Sequence, residues 1–429
     1  MVILALVLLL QWKKPALFKK AALAVPLLII AMEAITLAVI TFTSSGAAKK
    51  TSTVCYYSSK ELFHFAKEGN LIVLVVDSLE GPRLEELLED ETLNADSLFD
   101  GFTYYQDVTG VGETTLPSMT KLLTDQLYPV ETDQLTAMEQ CFSQAAIYDE
   151  LAASGYRTNL FEYDSFAARA DMGKISNLRE LSAAPRGKVL VTMTKQLYKL
   201  VLYRYAPHYL KRYFMKFGLV FDQEEAAFAD QYYVNDLLTW QALRENGVTA
   251  DLEGKLFSLY HFYGMHSPYR LTRDMAYGDY GEDVPEEERV YEQGAAVVTM
   301  LGELLEGLRQ AGVYDDATIV ITADHGSRSR YRYLPAFLVK FPGERQGLTR
   351  SKTPVSLYEQ FIPLLRDAAS GRAVSQDWFG AGWDSGRERY VFRYDFDDAW
   401  EGAARRMEKI AVNGPADDTA SYSADLFAK

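Results

Sequence analysis

Three short polar clusters in this 429-residue chain each follow an apolar run. NLIVLVVD ends in Asp77, HFYGMHSPY carries His266, and ATIVITADHG closes on Asp324 and His325. Each side chain is therefore expected at the carboxyl tip of a strand, where open α/β sheets collect their ligands. A lone carboxylate in that place is ordinarily a turn residue. Adjacent Asp and His at another tip read instead as metal ligands, because carboxylate oxygen and imidazole nitrogen both bind hard or borderline cations. A fourth cluster, GETTLPSMTKLLT, sets Thr114 and Thr115 before a segment of helical periodicity. A hydroxyl there faces the positive end of the helix dipole, which suits an oxyanion or a phosphoryl group. The same position also matches a plain N-cap. His261 alternates with Tyr260 in an apolar run and reads as a core histidine.

These residues need a scaffold, and its pattern is plain. NLIVLVVD is a continuous β-branched run, the mark of a strand buried on both faces of a parallel sheet. YDELAASGYRTNLFEY reads as helix, Gly stop and strand, KLFSLYHFYG as a strand, and 288–326 as a long amphipathic helix, a turn and an apolar strand. Strands alternating with helices predict an α/β fold with a mainly parallel sheet.

Taken in order, the four clusters resemble the sulfatase/alkaline-phosphatase superfamily from about Asn70 to Arg366. The pattern there is an acidic ligand ending the first strand (Asp77), then a nucleophile opening a helix. Thr115-Leu116-Pro117-Ser118-Met119 with Leu123-Thr124 keeps the sulfatase spacing Cys/Ser-x-Pro-Ser-Arg…Leu-Thr. Gly264-Met265-His266-Ser267-Pro268-Tyr269 matches the family's G-x-H-x-P-Y stretch, and Ala323–Gly326 its ADHG. The resemblance implies a three-layer sandwich at 70–400. It also implies one divalent cation (Mn, Zn or Mg) held by Asp77, Thr115, Asp324 and His325, with Thr115 rather than Thr114 as nucleophile. His266, with Thr114, would bind substrate, and His266 would serve as general acid/base.

Departures choose the branch. Sulfatases make a formylglycine nucleophile from Cys or Ser, which Thr115 cannot become; Met119 replaces the usual Arg and Ser78 a common second Asp. A Thr nucleophile behind a membrane anchor resembles the lipoteichoic acid synthase and phosphoethanolamine transferase branch, which moves a lipid head group through a phosphothreonine. That implies a phosphotransferase or phosphodiesterase. The alternatives are a sulfuric ester hydrolase and a catalytically silent envelope binding module, the latter kept open by Met119, Ser327 and the few histidines.

Composition bounds the partners. The net charge is −15, which argues against a nucleic-acid binder. Two cysteines, Cys55 and Cys141, exclude a disulfide scaffold and a Cys-rich zinc module, while five histidines confine a metal site to mostly oxygen ligands. Residues 21–43 are apolar apart from Glu33 and span about 34 Å as a helix, so a transmembrane helix is expected there. The segment 1–20 holds a short apolar run and a basic loop; Lys13, Lys14, Lys19 and Lys20 place it in the cytoplasm and the rest outside the cell membrane. A linker is expected at 44–69 and a C-terminal segment at 401–429. Inside the body, 186–217 is a basic insert: 186–216 carries eight Lys/Arg and no acid, leaving −23 on the other 398 residues. Its basic, Leu- and Tyr-rich composition suits an anionic membrane surface as well as a solvated helix. The expected substrate is a membrane lipid or an envelope glycopolymer.

Overall fold

The computed structural model describes residues 11–44, 55–167, 173–180, 204, 207, 230–278, 280, 284–327, 331–372, 374–380, 388–396 and 403–426. The chain divides into two units, Met1–Thr53 and Val54–Lys429. In the first, helix α1 runs over Pro15–Ser44 and takes in the apolar stretch 21–43. Leu23, Leu27, Leu28, Met32, Ile35 and Val39 on this helix are each more than half exposed. No helix among the described residues is long and apolar enough to cross a membrane. The expected span at 21–43 is thus not shown; several of its side chains lie outside the described residues. Apart from 204 and 207, the basic insert 186–217 also lies outside them.

The second unit is built on β1 (Asn70–Val76), β2 (Thr103–Tyr105), β3 (Tyr156–Phe161), β4 (Lys255–Phe262), β5 (Thr318–Thr322), β6 (Phe337–Lys340) and β7 (Thr349–Ser351). They form one seven-stranded sheet in the order β7-β2-β6-β5-β1-β4-β3. β5, β1, β4 and β3 run parallel, as do β7 and β2, while β6 is antiparallel to both its neighbours. The expected α/β class with a mainly parallel sheet is what forms.

Every residue of β1 is buried, so both faces of the sheet are covered. Each fully buried Val, Leu or Ile contributes about 1.5–3 kcal/mol of transfer free energy, enough to hold this strand at the centre. The cover comes from two helix groups. One joins α2 (Gly81–Glu89), α6 (Asp236–Asn246) and the 25-residue α7 (Glu286–Gln310). The other joins α3 (Thr115–Thr124), α4 (Gln134–Ser143), α5 (Ile147–Ala153) and α8 (Leu357–Ala369). Helix α7 opens with Glu286, Glu287 and Glu288 and carries Arg309 in its last turn, charges that complement its dipole.

Two boundaries differ from expectation. Cys55–Tyr57 and His64–Ala66, inside the expected linker 44–69, are strands, pairing with Leu178–Glu180 and Thr249–Leu252. Ala404–Val412, inside the expected C-terminal segment, pairs with Arg389–Phe396. These strands are short or find partners far off in sequence, so local composition hides them. Cys55 and Cys141 are both buried and are not joined to each other by a disulfide.

Candidate functional site

Register decides which residues meet. Thr322 of β5 lies beside Val75, Val76 beside Phe262, and Phe161 beside Tyr260, so four parallel strands end together. The residues just past those ends are Asp324-His325, Asp77, the 263–266 turn and Glu162. Helix α3 starts at Thr115, and its first side chain reaches the same place.

Asp77, Asp324 and His325 are all buried, and a ligand atom from each lies within 4.8 Å of the others. Thr115 Oγ1 donates to Asp77 Oδ2 at 3.4 Å and lies 3.4 Å from His325 Nε2. His325 Nε2 is 3.4 Å from Asp324 Oδ2 and 3.8 Å from Asp77 Oδ1. On its other side the ring meets the Gly326 carbonyl, Nδ1 to O 2.5 Å, where only an N–H can donate. A neutral His325 therefore turns its Nε2 lone pair toward two carboxylates and a hydroxyl. Asp324 Oδ2 is buried with no hydrogen-bond partner among the described residues. Lone pairs converging on one point, with an unsatisfied oxygen among them, are the donor set of a cation site. This geometry fits one divalent ion on Asp77, Asp324, His325 and the Thr115 hydroxyl.

The surroundings brace that set. Asp324 Oδ1 accepts from the backbone N–H of Ser78 at 3.1 Å and of His325 at 2.8 Å. Ser78, in the left-handed region at φ 60°, donates its hydroxyl to Asp77 Oδ1 at 2.7 Å. Burial, then the neighbouring Asp324, push the Asp77 carboxyl above its ordinary pKa, against the pull of His325 and His261. Met265 N–H donates to the Asp77 carbonyl at 2.8 Å, tying the 263–266 turn to the same strand tip. Gly264 is required there: its φ is +58°, and a Cβ would fall 2.7 Å from the Asp77 carbonyl oxygen.

Each expected residue can now be placed. Asp77, Asp324, His325 and Thr115 come together. Thr114 is the N-cap of α3, but its side chain makes no capping bond, and its buried hydroxyl has no partner among the described residues. The plain N-cap reading is therefore not what forms. His266 is half-buried on the adjoining turn, stacked edge-on against Tyr263 with centroids 5.4 Å apart and Nδ1 2.5 Å from the Ser267 carbonyl. It makes no hydrogen bond to Thr115 or to the carboxylates among the described residues. Met119, at the family's Arg position, is packed in the hydrophobic core.

His261 is buried as expected, yet it is more than a core residue. Its Nδ1 meets Glu162 Oε1 at 2.7 Å, and its Nε2 stands 3.9 Å from Asp77 Oδ2. Burial pulls its pKa down, but Glu162, Asp324 and Asp77 outweigh this and hold it at about 9. Glu162 was legible by the rule that found Asp77, since NLFEY also ends a strand on a carboxylate. Asp236 carried no such signal. Fully buried at the start of α6, it accepts from Tyr263 N–H at 2.7 Å and Gly264 N–H at 2.8 Å; burial raises its pKa to about 6, against those two bonds.

Comparison with known proteins agrees with this architecture. The Sulfatase family model matches residues 69–361, and the chain belongs to that family. Its members are hydrolases or transferases that bind a divalent metal. No curated protein matches the sequence. Among solved structures, a Bacteroides thetaiotaomicron protein from a glycosaminoglycan-metabolism locus shares 15% identity at TM-score 0.50, covering 81% of this chain and 85% of its own. The lipoteichoic acid synthase LtaP from Listeria monocytogenes shares 13% at 0.44, with 83% and 86% covered. The periplasmic domain of EptC from Escherichia coli shares 14% at 0.43, with 79% and 92% covered.

Proposed function

We propose that this chain is a metal-dependent enzyme that transfers or hydrolyses a phosphoryl-linked group through Thr115. One observation carries the reading: the Thr115 hydroxyl, half-exposed at the first turn of α3, lies 3.4 Å from both Asp77 and His325 at the mouth of a buried ligand set. A divalent cation there supplies Lewis acidity, lowering the hydroxyl pKa and offsetting phosphoryl charge. Asp77 Oδ2 accepts the Thr115 hydrogen bond and draws the proton away as Oγ1 attacks phosphorus. The P–O bond to the leaving alcohol breaks, and His266 protonates that alcohol. An acceptor alcohol or water, deprotonated by His266, then displaces Thr115, whose Oγ1 takes its proton back from Asp77 as the group is released. The α3 N-terminus would turn the positive end of its dipole toward the phosphoryl oxygens.

Sulfate ester hydrolysis is disfavoured because threonine cannot be converted to formylglycine. The substrate class in this reading is a membrane lipid or envelope glycopolymer, with the catalytic unit held outside the cell membrane by residues 21–43. The exposed apolar side chains of α1 and the four lysines ahead of 21–43 support that location; release of the chain from membranes by alkaline carbonate would overturn it.

Intact mass spectrometry of the full chain, incubated with phospholipid and manganese or zinc, tests the chemistry. A phosphoryl-containing adduct should appear on the wild type and not on Thr115→Ala, and turnover of a 4-nitrophenyl phosphodiester should fall on the order of 10³-fold or more. An adduct that persists on Thr115→Ala refutes the nucleophile. A 4-nitrophenyl sulfate turned over in preference to the phosphodiester refutes the reaction class.

A further inference from the structure

Beside the 263–266 turn lies a cavity of about 220 Å³, lined among others by Asn235, Asp236, Tyr263, Pro268, Arg270 and Tyr277. It adjoins the site through shared residues. Tyr263 lines it and stacks on His266, and Asp236 lines it while holding the Tyr263 and Gly264 amides. The Gly264-Met265 backbone in turn packs on Asp77. The 263–266 turn thus touches both the cavity and the Asp77 side of the ligand set.

The turn and the segment after it are built rigidly. Gln293, buried on α7, accepts from the amides of Arg270 and Leu271 at 3.0 and 2.9 Å and donates to the Gly264 carbonyl at 2.8 Å. The Arg270 carbonyl accepts from Gly278 N–H at 2.8 Å. The main chain of Arg270 is thus fixed at both its polar groups. Its side chain is not: among the described residues the guanidinium has no carboxylate partner and no hydrogen bond. Arg83, Arg273 and Arg350, by contrast, each hold a glutamate. Among the described residues no acid neutralises this guanidinium where it lines the cavity, which leaves it open to an anion there. Guanidinium forks are matched to the paired oxygens of carboxylate and phosphate.

We propose that Arg270 is a specificity residue that reads a second anionic group of the substrate, set apart from the reacting phosphoryl group and seated in the cavity between Tyr263 and Tyr277. The inference rests on the Thr115 reading for where the substrate reacts. The chemistry named is an oxyanion, carboxylate or phosphate, on the alcohol portion of a phosphodiester. At about 220 Å³ the cavity admits a single ring or a short polyol and not a lipid chain.

Two reporters differing only in that charge test it: 4-nitrophenyl phenyl phosphate and 4-carboxyphenyl 4-nitrophenyl phosphate. The wild type should favour the carboxylate in kcat/KM by about tenfold, the scale of one charge-assisted hydrogen bond, and Arg270→Gln should bring that ratio near one. Arg270→Lys keeps the charge without the fork and should give an intermediate ratio, which also serves if the Gln variant does not fold. A wild-type ratio near one, or a ratio that neither substitution changes, overturns the proposal while leaving Thr115 untouched. Calorimetry on the Thr115→Ala protein with phenyl phosphate and 4-carboxyphenyl phosphate separates the two ideas. An Arg270-dependent tenfold preference there, with neither reporter turned over by the wild type, supports Arg270 and sinks the Thr115 mechanism; equal binding of the two phosphates overturns Arg270. To separate the sources of the oxyanion, glycerol 3-phosphate and vesicles of phosphatidylglycerol compete against the carboxylate reporter. Competition by glycerol 3-phosphate alone that Arg270→Gln abolishes supports a soluble or polymer-borne group reaching Arg270, competition by vesicles that Arg270→Gln abolishes supports a lipid headgroup, and competition that the substitution leaves unchanged overturns the assignment. Competition by neither overturns the oxyanion reading.

Discussion

Replacing Asp324 by Asn should make the metal-free protein more stable while removing its response to metal. The substitution is close to isosteric at a place where the structure separates the two oxygens. Oδ1 accepts from Ser78 and His325 amides, and an Asn carbonyl can keep both bonds. Oδ2 has no partner, and one Asp324 carboxylate oxygen lies within 4.8 Å of one from Asp77. Two unit charges 4.8 Å apart repel by about 3.5 kcal/mol at an effective dielectric near 20, an upper figure because His325 and His261 offset part of it. The expected gain on removing one charge is therefore about 1–3 kcal/mol, or several degrees in Tm. The sign with pH follows from Asp77, whose folded pKa is raised. The native state then binds the proton more readily than the unfolded chain, and this contribution, full below the ordinary carboxylate pKa, is lost as pH rises through the folded value. The advantage of Asp324→Asn over wild type should accordingly be small at pH 4 and grow toward pH 7. Thermal denaturation in EDTA across that range, then with manganese or zinc, is the assay. The wild type should gain about 2.7 kcal/mol at a metal concentration one hundred times Kd, and the variant little. A variant less stable than wild type in EDTA at pH 7, or one that metal stabilises as strongly, refutes the reasoning.

Asp236→Asn leaves one of the Tyr263 and Gly264 amides facing a donor, so it should cost about 1–3 kcal/mol and speed hydrogen exchange at those two amides. Because the Asp236 pKa is raised to about 6, the wild type carries a fall in stability as pH rises from 4 to 6 that the variant should lack. Gly264→Ala places a Cβ 2.7 Å from the Asp77 carbonyl oxygen at a positive φ, so it should cost at least about 2 kcal/mol and weaken metal binding, both readable in one thermal titration.

Much of the site was legible because parallel strands end together. A continuous apolar run announces a strand buried on both faces, and its next residue must then lie on the ligand-binding edge. That reasoning located Asp77, Asp324 and His325; helical periodicity after GETT located Thr114 and Thr115 together, and the choice of Thr115 came from the family spacing. It stopped at residues whose role depends on a neighbouring element. Asp236 looks like any acid opening a helix, and only the packing of α6 against the 263–264 turn gives it two amides to hold. Gln293 is one polar position on the buried side of α7, where an alternation pattern predicts an apolar residue. His261 was read by the company it keeps along its own strand. What defines it is Glu162 on the adjacent strand, invisible until β3 and β4 are paired in register.

The charge balance at this edge has a consequence for how the fold carries the site. Asp77, Asp324, Glu162 and Asp236 are all buried, and His261 and His325 are the only buried imidazoles among the described residues. Carboxylates in such a place ordinarily cost several kcal/mol each unless hydrogen-bonded or paired. Asp236 is satisfied by two amides, and Glu162 by His261 on one oxygen. Asp77 and Asp324 share only amide, hydroxyl and imidazole contacts, so the excess negative charge concentrates at the point where Thr115 enters. Strand β1 below it is apolar from Leu71 to Val76 and buried at every residue, which lets the core bear that local cost. A cation bound there would convert the least favourable part of the fold into a stabilising one, and stability and metal affinity should therefore move in opposite directions across substitutions at Asp77 and Asp324.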